Sequence, residues 1–269
     1  MKPHFLFPQS PLTHRPMVDE MFQDQALALK TAGFGTSVLD ESLEIRGGSI
    51  AEDATIVHRG WMMDAETYAR YIAKLTERKL TALTSTEQYL ATHYLPNWYP
   101  TISDLTPHTE IIPIVFSEDT IPFNAIADYI RTLGWKKFQL KDYVKSLKTA
   151  KGSVITSAEQ IVPALTNMQK YRGTIEGGIC VRQWENLTNE KRYFVLNGKF
   201  FAQDQTSIDP RVAEILRRVS NLNSPFFSVD IAEQDHEGCF RYRVVEVGDG
   251  QVSDLVGWTA TRFAEIWNA

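Results

Sequence analysis

The first third of the chain alternates short apolar runs with segments in which apolar residues recur at helical spacing. The runs at 5–7, 36–39 and 54–57 predict strands. Apolar positions between 18 and 29, and a later segment that begins at the capping residue Asp64, predict helices. This alternation predicts a small parallel sheet of Rossmann-like type. No Gly-x-Gly-x-x-Gly sequence follows the first strand, so a dinucleotide site is not expected there.

The middle of the chain begins with a change in composition. Pro, aromatic and Thr residues concentrate between 96 and 107, which indicates a domain junction. Beyond it, the apolar pattern predicts strands at 111–116 and 136–140 and a helix at 122–133. A capping box, formed by Ser157 and Gln160, predicts the start of another helix.

The last third of the chain is mostly β in pattern. Strands are predicted from Gly178 onward, and an Asn197-Gly198 pair predicts a hairpin turn between two of them. We therefore predict an α/β fold with α+β character in its C-terminal part. The predicted division is an N-terminal domain at 1–105 and a second domain at 106–269.

Two apolar runs near the C-terminus each carry an isolated acid. Asp230 and Glu246 are predicted to lie on the neighbouring strands of a hairpin, with Asp249 just beyond in a loop flanked by glycines. Burying an acid is costly unless a positive group neutralises it. Carboxylates suit Mg²⁺, which is usually shared with the phosphates of a nucleotide. For Asp249 an ordinary turn role stays open, because Gly-Asp-Gly is also common turn chemistry.

Positively charged residues precede these acids at strand positions. Lys141 ends a predicted strand, Lys145 follows in a lysine-rich loop, Arg182 lies within a strand, and Arg192 opens another. Cations of this kind, together with the acids, fit a site for a magnesium nucleotide. Structural alternatives stay open, namely a pair between Arg182 and either Glu185 or an acid on the next strand, and an exposed edge position for Arg192. The chain has no P-loop sequence.

Composition places the chain among globular proteins, with 43% apolar and 23% charged residues in 269. A net charge of −5 argues against a surface that binds nucleic acid. Cys180 and Cys239 lie in apolar strands without disulfide or zinc spacing, and we predict a cytoplasmic protein with no membrane partner. His58 and Arg59 follow a strand of the N-terminal sheet and are candidates for substrate recognition, although a structural role stays open for both.

The segment from about 138 to 255 resembles the ATP-grasp superfamily, and in particular the clade named R2K for one arginine and two lysines. The resemblance rests on the order and spacing of FQLKDYVKS at 138–146, GICVR at 178–182, RYFVLNGK at 192–199, FSVDIA at 227–232 and EVGDGQVS at 246–253. It implies a pre-ATP-grasp domain at the N-terminus, followed by a two-lobed ATP-grasp domain. The small lobe would cover about 106–184 and the large lobe about 185–269.

The resemblance also implies roles for individual residues. Lys141 and Lys145 look like the two lysines that bind the phosphates of ATP, and Arg192 looks like the arginine that stabilises the transferred phosphoryl group. Arg182 joins them as a nucleotide-binding cation.

Three consecutive residues, Gln183, Trp184 and Glu185, fall where such folds read adenine, largely through backbone atoms.

The same resemblance implies a metal site. Asp230 and Glu246 match the metal-binding acids of the family. The usual pattern has Asn two residues after the glutamate, where this chain has Gly248, and Asp249 is the predicted substitute. The implied cofactors are ATP and Mg²⁺.

The function implied is an ADP-forming ligase that joins a small-molecule or peptide carboxylate to an amine through an acyl phosphate. Two alternatives on the same fold are a kinase and a nucleotide-binding module without catalysis. A purely structural protein is less favoured, because both lysines, the arginine and both acids are present.

Overall fold

A computed structural model of the chain describes residues 2–13, 15–114, 122–144, 154–172, 175–236 and 238–269. Contacts group the chain into two compact units. Unit 1 consists of 1–93, 191–231 and 246–269, and unit 2 consists of 94–190 and 232–245. The domain boundary predicted after residue 105 and the lobe boundary predicted after residue 184 stay predictions beside this grouping by contacts.

Unit 1 begins with a five-stranded sheet. Its strands are β1 (His4–Pro8), β2 (Gly35–Leu39), β3 (Ile45–Arg46), β4 (Thr55–His58) and β5 (Thr81–Ala82). Their order is β3-β2-β1-β4-β5, in which only the short β3 runs antiparallel to its neighbour. The connecting helices are α1 (Gln23–Thr31), α2 (Ala65–Glu77) and α3 (Thr86–His93). The predicted Rossmann-like sheet is therefore confirmed.

Local sequence explains these elements. Phe5, Leu6 and Phe7 of β1 are fully buried, as a central parallel strand covered on both faces requires. Helix α2 begins after Asp64, whose carboxylate accepts a hydrogen bond from the backbone N–H of Thr67 at 2.6 Å.

Unit 2 contains an antiparallel four-stranded sheet with helices on one face. The strands are β6 (Thr109–Pro113), β7 (Phe138–Asp142), β8 (Val154–Ile155) and β9 (Gly178–Gln183), in the order β6-β9-β7-β8. The helices of this part of the chain are α4 (Leu95–Trp98), α5 (Phe123–Thr132) and α6 (Ile161–Arg172).

Apolar residues of α5 and α6 pack on one face of this sheet. Ile126 and Leu165 share a core with Phe138 and Val181, and all four side chains are buried. The short 3-10 turn before α6 has the predicted capping box of Ser157 and Gln160.

The remaining strands form a third sheet. They are β10 (Thr188–Leu196), β11 (Lys199–Phe201), β12 (Phe226–His236) and β13 (Cys239–Asp249), in the order β11-β10-β12-β13. Strands β10 and β11 are joined by Asn197 and Gly198, with φ of 49° and 76°, which confirms the predicted hairpin turn. Helices α7 (Pro210–Val219) and α8 (Ala260–Glu265) complete unit 1.

One aromatic core joins the N-terminal sheet of unit 1 to the strands and helix that come late in the sequence. Phe5 contacts Trp267 edge to face, with ring centroids 4.9 Å apart. Phe194 of β10 lies 4.9 Å from Trp258 and 5.4 Å from Phe263 of α8. All of these rings belong to a single hydrophobic cluster. The N-terminal sheet, the end of β10 and the start of β12 therefore share an interior.

Among the helices within the described ranges, none is long and apolar enough to cross a membrane.

Replacing Phe194 by Ala should lower the free energy of unfolding by about 3–5 kcal/mol, because this buried ring contacts two neighbouring aromatic side chains. Urea denaturation followed by tryptophan fluorescence measures the change. Leu27→Ala on α1 is the control, because this side chain is 66% exposed and should cost about 0.5 kcal/mol or less. Equal losses in the two variants would contradict the shared core.

Candidate functional site

Arg192 and Asp230 form a bidentate ion pair inside unit 1. Arg192 lies on β10 and Asp230 on the adjacent strand β12. The arginine Nε donates to one carboxylate oxygen at 2.7 Å, and Nη2 donates to the other at 2.6 Å. The two side chains are only 12% and 7% exposed. Arg192 is therefore not exposed, and the alternative of an exposed edge residue is wrong in this respect.

Further acidic residues surround the same guanidinium. Glu246 lies on β13, which is next to β12, and the backbone oxygen of Asp254 accepts a hydrogen bond from Arg192 Nη1 at 2.7 Å. Burial lowers the pKa of Arg192, but the hydrogen bond and charge of Asp230 and the carboxylates of Glu246 and Asp254 raise it overall. The cluster therefore keeps Arg192 positively charged. It also gathers the two acids that the sequence analysis assigned to the metal.

The chemistry of this cluster fits a magnesium ion shared with phosphates. Within the residues that the structure describes, no group of three His, Cys, Asp or Glu side chains is arranged to hold a metal by itself. Mg²⁺ in nucleotide sites usually takes only one or two carboxylates, and phosphate and water oxygens complete its shell. Asp230 and Glu246 supply two such carboxylates.

Asp249 lies in the interior at the end of β13. Its side chain is fully buried and accepts hydrogen bonds from the backbone N–H and the side-chain amide of Gln251, at 2.9 and 3.1 Å. Burial raises the pKa of Asp249 to about 7, although these hydrogen bonds and the charge of Arg59 lower it. These contacts are those of a residue that shapes a turn. A metal-binding role for Asp249 stays a prediction.

Lys141, the first of the two predicted lysines, belongs to unit 2. Lys141 lies on β7 opposite Cys180 of β9. Two residues away along the same two strands, Gln139 of β7 lies opposite Arg182 of β9. Lys141 and Arg182 therefore share one face of the sheet, while Leu140 and Val181 point to the helical core on the other. Lys145 lies outside the described residues.

The predicted core role of Cys180 agrees with its position, because its side chain is fully buried and is a free thiol. Burial raises the pKa of this thiol to about 12, even though the nearby charge of Lys141 lowers it. Cys180 is therefore not a thiolate at neutral pH.

Arg182 is engaged with protein groups of unit 2. Its guanidinium donates to the hydroxyl of Thr106 and to the backbone oxygens of Val244 and Val245, and its side chain is 2% exposed. The alternative pair with Glu185 is not formed, because Glu185 binds Arg243 instead. A contact from Arg182 to the nucleotide stays a prediction.

The predicted adenine-reading segment begins at the end of β9. The backbone N–H of Gln183 donates to the backbone oxygen of His108 at 2.8 Å, and the backbone N–H of Trp184 donates to the backbone oxygen of Lys137 at 3.2 Å. The Lys137 ammonium also lies 3.7 Å from the centre of the Trp184 ring. An adenine contact that needs a backbone donor would therefore come from beyond Trp184.

Arg243 on β13 was missed by the sequence analysis. It binds Glu185 in bidentate fashion at 2.7 and 2.6 Å and donates to the backbone oxygens of Asp104 and Thr106. It fixes Glu185 within unit 2 and thus orients the segment that follows β9. The available signal was an arginine directly before the apolar pair Val244-Val245 of a predicted strand.

His58 and Arg59 are not at a surface where they would contact a substrate. Their side chains are 2% and 1% exposed. His58 Nε2 lies 3.1 Å from the backbone oxygen of Trp61. Arg59 binds the side chain of Gln25 and the backbone oxygens of Gly250 and Ser253. Both residues therefore contact other parts of the protein, as expected for a structural role and not for substrate recognition.

Comparison with family models assigns the chain to a known family. The model described as "ATP-grasp domain, R2K clade family 3" matches residues 97–269. The chain therefore belongs to the R2K clade of ATP-grasp domains, as the resemblance implied. No curated protein matches the chain in sequence.

Solved structures show the same fold over nearly the whole chain. D-cycloserine synthetase DcsG is 11% identical, with a TM-score of 0.63 over 98% of this chain and 99% of that one. D-alanyl-alanine synthetase A from Vibrio cholerae is 12% identical, with a TM-score of 0.60 over 100% and 94%. The ATP-grasp ligase PsnB, complexed with a minimal precursor, Mg and ADP, is 12% identical, with a TM-score of 0.55 over 98% and 97%. The predicted ATP-grasp fold is confirmed.

His58 should make stability depend on pH in mildly acidic solution. Burial lowers its pKa from 6.5 to about 4, so between these values the unfolded chain binds more protons than the folded one. The free energy of unfolding should therefore fall as the pH falls through this window, by on the order of 2–3 kcal/mol from this residue.

The measurement is urea denaturation of the wild type and of His58→Phe at pH 7 and pH 4.5. The stability difference between the two proteins should shift in favour of the variant at the lower pH, because only the wild type must keep a histidine uncharged. An identical pH slope in both proteins would contradict the assignment.

Proposed function

We propose that this protein is an ADP-forming ligase that uses Mg²⁺ and ATP to join a carboxylate to an amine. The observation that carries the proposal is the buried Arg192–Asp230 pair beside Glu246, on three adjacent strands of a chain that belongs to the R2K clade. A permanently charged guanidinium among carboxylates suits phosphoryl transfer, which depends mainly on positioning and on neutralising charge.

Each residue has a distinct role in this proposal. Asp230 and Glu246 would hold Mg²⁺, and the bound metal would neutralise charge on the transferred phosphoryl group. Lys141, together with Lys145, would bind the phosphates of ATP. An oxygen of the substrate carboxylate would attack the γ-phosphorus of ATP and displace ADP, and Arg192 would stabilise the acyl phosphate that results. The amine would then attack the acyl carbon and displace phosphate, and the new bond forms with loss of a proton from the amine. No protein nucleophile is required in this sequence of steps.

The substrate class proposed is a small-molecule or peptide carboxylate with an amine acceptor. Support comes from the neighbours in fold, which include D-alanyl-alanine synthetase A and PsnB complexed with a minimal precursor. The particular carboxylate is to be identified by screening.

A second candidate is a kinase or a nucleotide-binding module without catalysis. The specific observation in its favour is that both oxygens of Asp230 are bound by Arg192, while Gly248 stands where the family usually has a metal-binding Asn. A phosphorylated product that accumulates without an amine would identify a kinase.

Lys141→Met should abolish turnover, with a loss of at least about 100-fold, because a phosphate-binding charge is removed from the site. Release of ADP and phosphate is measured in the presence of ATP, Mg²⁺ and pooled carboxylates and amines. Lys170→Met on the exposed side of α6 is the control and should retain activity. Release of AMP and pyrophosphate by the wild type would contradict the proposed ligase.

The double variant Asp230→Asn, Glu246→Gln should lose the magnesium-dependent part of the protection that ATP gives against thermal unfolding, because amides are much weaker ligands for Mg²⁺. The melting temperature is measured with ATP, in Mg²⁺ and in EDTA. Glu214→Gln on α7, where the side chain is 63% exposed, is the control. Unchanged protection in the double variant would remove these two acids from the metal site.

A further inference from the structure

We propose that Arg59 is a positioning residue, which holds the segment 249–254 (the β13 exit) so that Arg192 and Asp230 stay aligned for the magnesium nucleotide. This inference rests on the proposed function, because the alignment matters only if the acids of unit 1 bind the metal. It concerns a residue of the N-terminal sheet that has no direct contact with Arg192 or Asp230 among its observed hydrogen bonds.

Arg59 is bound on both sides by well-defined partners. Its Nη1 donates to the backbone oxygens of Gly250 and Ser253, at 2.5 and 2.9 Å. Its Nε and Nη2 donate to the side-chain oxygen of Gln25 on α1, at 3.2 and 2.7 Å. The guanidinium also lies 4.5 Å from the centre of the Phe263 ring. Gln25 thus fixes the plane of the guanidinium, which then holds two carbonyls of the β13 exit.

The residues beside Arg59 hold the same segment. Gln251 accepts two hydrogen bonds from these residues. The backbone N–H of His58 donates to the side-chain oxygen of Gln251 at 3.1 Å, and the backbone N–H of Gly60 donates to the backbone oxygen of Gln251 at 3.2 Å. A side chain at position 60 would collide with His58 at 2.6 Å and with Pro8 at 2.8 Å. The end of β4 and the two residues after it therefore form a continuous support for the β13 exit.

The β13 exit in turn reaches the acidic cluster. The residue after Ser253 is Asp254, whose backbone oxygen accepts from Arg192 Nη1 at 2.7 Å. The hydroxyl of Ser253 lies 2.7 Å from that of Ser228, which precedes Asp230 by two residues on β12. Displacement of the Ser253 carbonyl would therefore move both the backbone partner of Arg192 and a contact of the strand that carries Asp230.

A buried cation is costly, and the structure compensates for it. Burial and the like charge of Arg192 lower the pKa of Arg59 to about 9, while the carboxylates of Asp254 and Asp249 raise it. The residue is therefore charged at neutral pH. The planar guanidinium donates hydrogen bonds to Gln25 and to two carbonyl oxygens at the same time. The ammonium group of a lysine lacks this forked arrangement of donors.

The test separates metal-dependent from metal-independent nucleotide binding. The dissociation constant of ADP is measured by calorimetry in Mg²⁺ and in EDTA for the wild type and for Arg59→Met. Mg²⁺ should lower the dissociation constant of ADP by a factor that is at least about tenfold smaller in the variant than in the wild type, because loss of a supporting residue usually weakens metal binding by this amount. Its dissociation constant in EDTA should stay within about twofold of the wild-type value.

Tyr89→Phe controls for loss of stability alone. The Tyr89 hydroxyl is hydrogen-bonded to the backbone of Met63 within the same unit. This variant should melt at a lower temperature and keep the full effect of Mg²⁺. A merely structural role for Arg59 predicts that Arg59→Met behaves in the same way.

Each outcome has one interpretation. If Mg²⁺ does not tighten ADP binding to the wild type, the proposed function fails. If it does, and folded Arg59→Met retains the full tightening, the inference about Arg59 is overturned. If Arg59→Met does not fold, Gln25→Ala decides, because it keeps the buried charge but removes the group that orients it. The quantity compared is the ratio of the ADP dissociation constants in EDTA and in Mg²⁺. A fall of this ratio by about threefold or more in Gln25→Ala supports the inference, and a ratio equal to that of the wild type overturns it.

Discussion

The shared aromatic core of unit 1 is the constraint on which the candidate site depends. Phe5 of the first strand, Phe194 of β10 and Phe226 of β12 belong to one cluster with the C-terminal Trp267. Because interiors are close-packed, this cluster fixes the position of β10 and β12 relative to the N-terminal sheet. Arg192 precedes Phe194 on β10 and Asp230 follows Phe226 on β12, so the packing of the rings sets the position of the two strands that carry this ion pair.

The buried arginines of the protein are balanced by nearby carboxylates or carbonyl oxygens. The described part of the chain contains four largely buried arginines with defined partners, namely Arg59, Arg182, Arg192 and Arg243. Arg182 and Arg243 bind strand carbonyls or Glu185 within unit 2. Each of these groups would be costly to bury without its partners. Removing one partner should therefore disturb more than the contact itself.

Much of the fold and part of the candidate site could be predicted from local sequence patterns. Apolar runs gave the strands of the Rossmann-like sheet, and the two isolated acids, Asp230 and Glu246, are on the neighbouring strands expected for them. These features depend on residues close together in sequence. The capping box at Ser157 and the turn at Asn197 were predictable for the same reason.

The unpredicted features depend on contacts between distant parts of the chain. Arg59 follows an apolar strand, which suggested a substrate contact, but its partners include Gly250 and Ser253. No local pattern indicates that pairing. The backbone N–H groups of Gln183 and Trp184 are likewise occupied by residues from other segments. Sequence identifies the charged residues well, but not which of them face a ligand and which face the protein.

The discontinuity of unit 1 has a consequence for biosynthesis. Its three segments come from the start, the middle and the end of the chain. The first strand therefore emerges from the ribosome long before Trp267, against which Phe5 packs. Contacts of such high sequence separation slow folding, so β1 can pair early with β2 and β4, but the side of Phe5 that contacts Trp267 is covered only after that tryptophan has been synthesised.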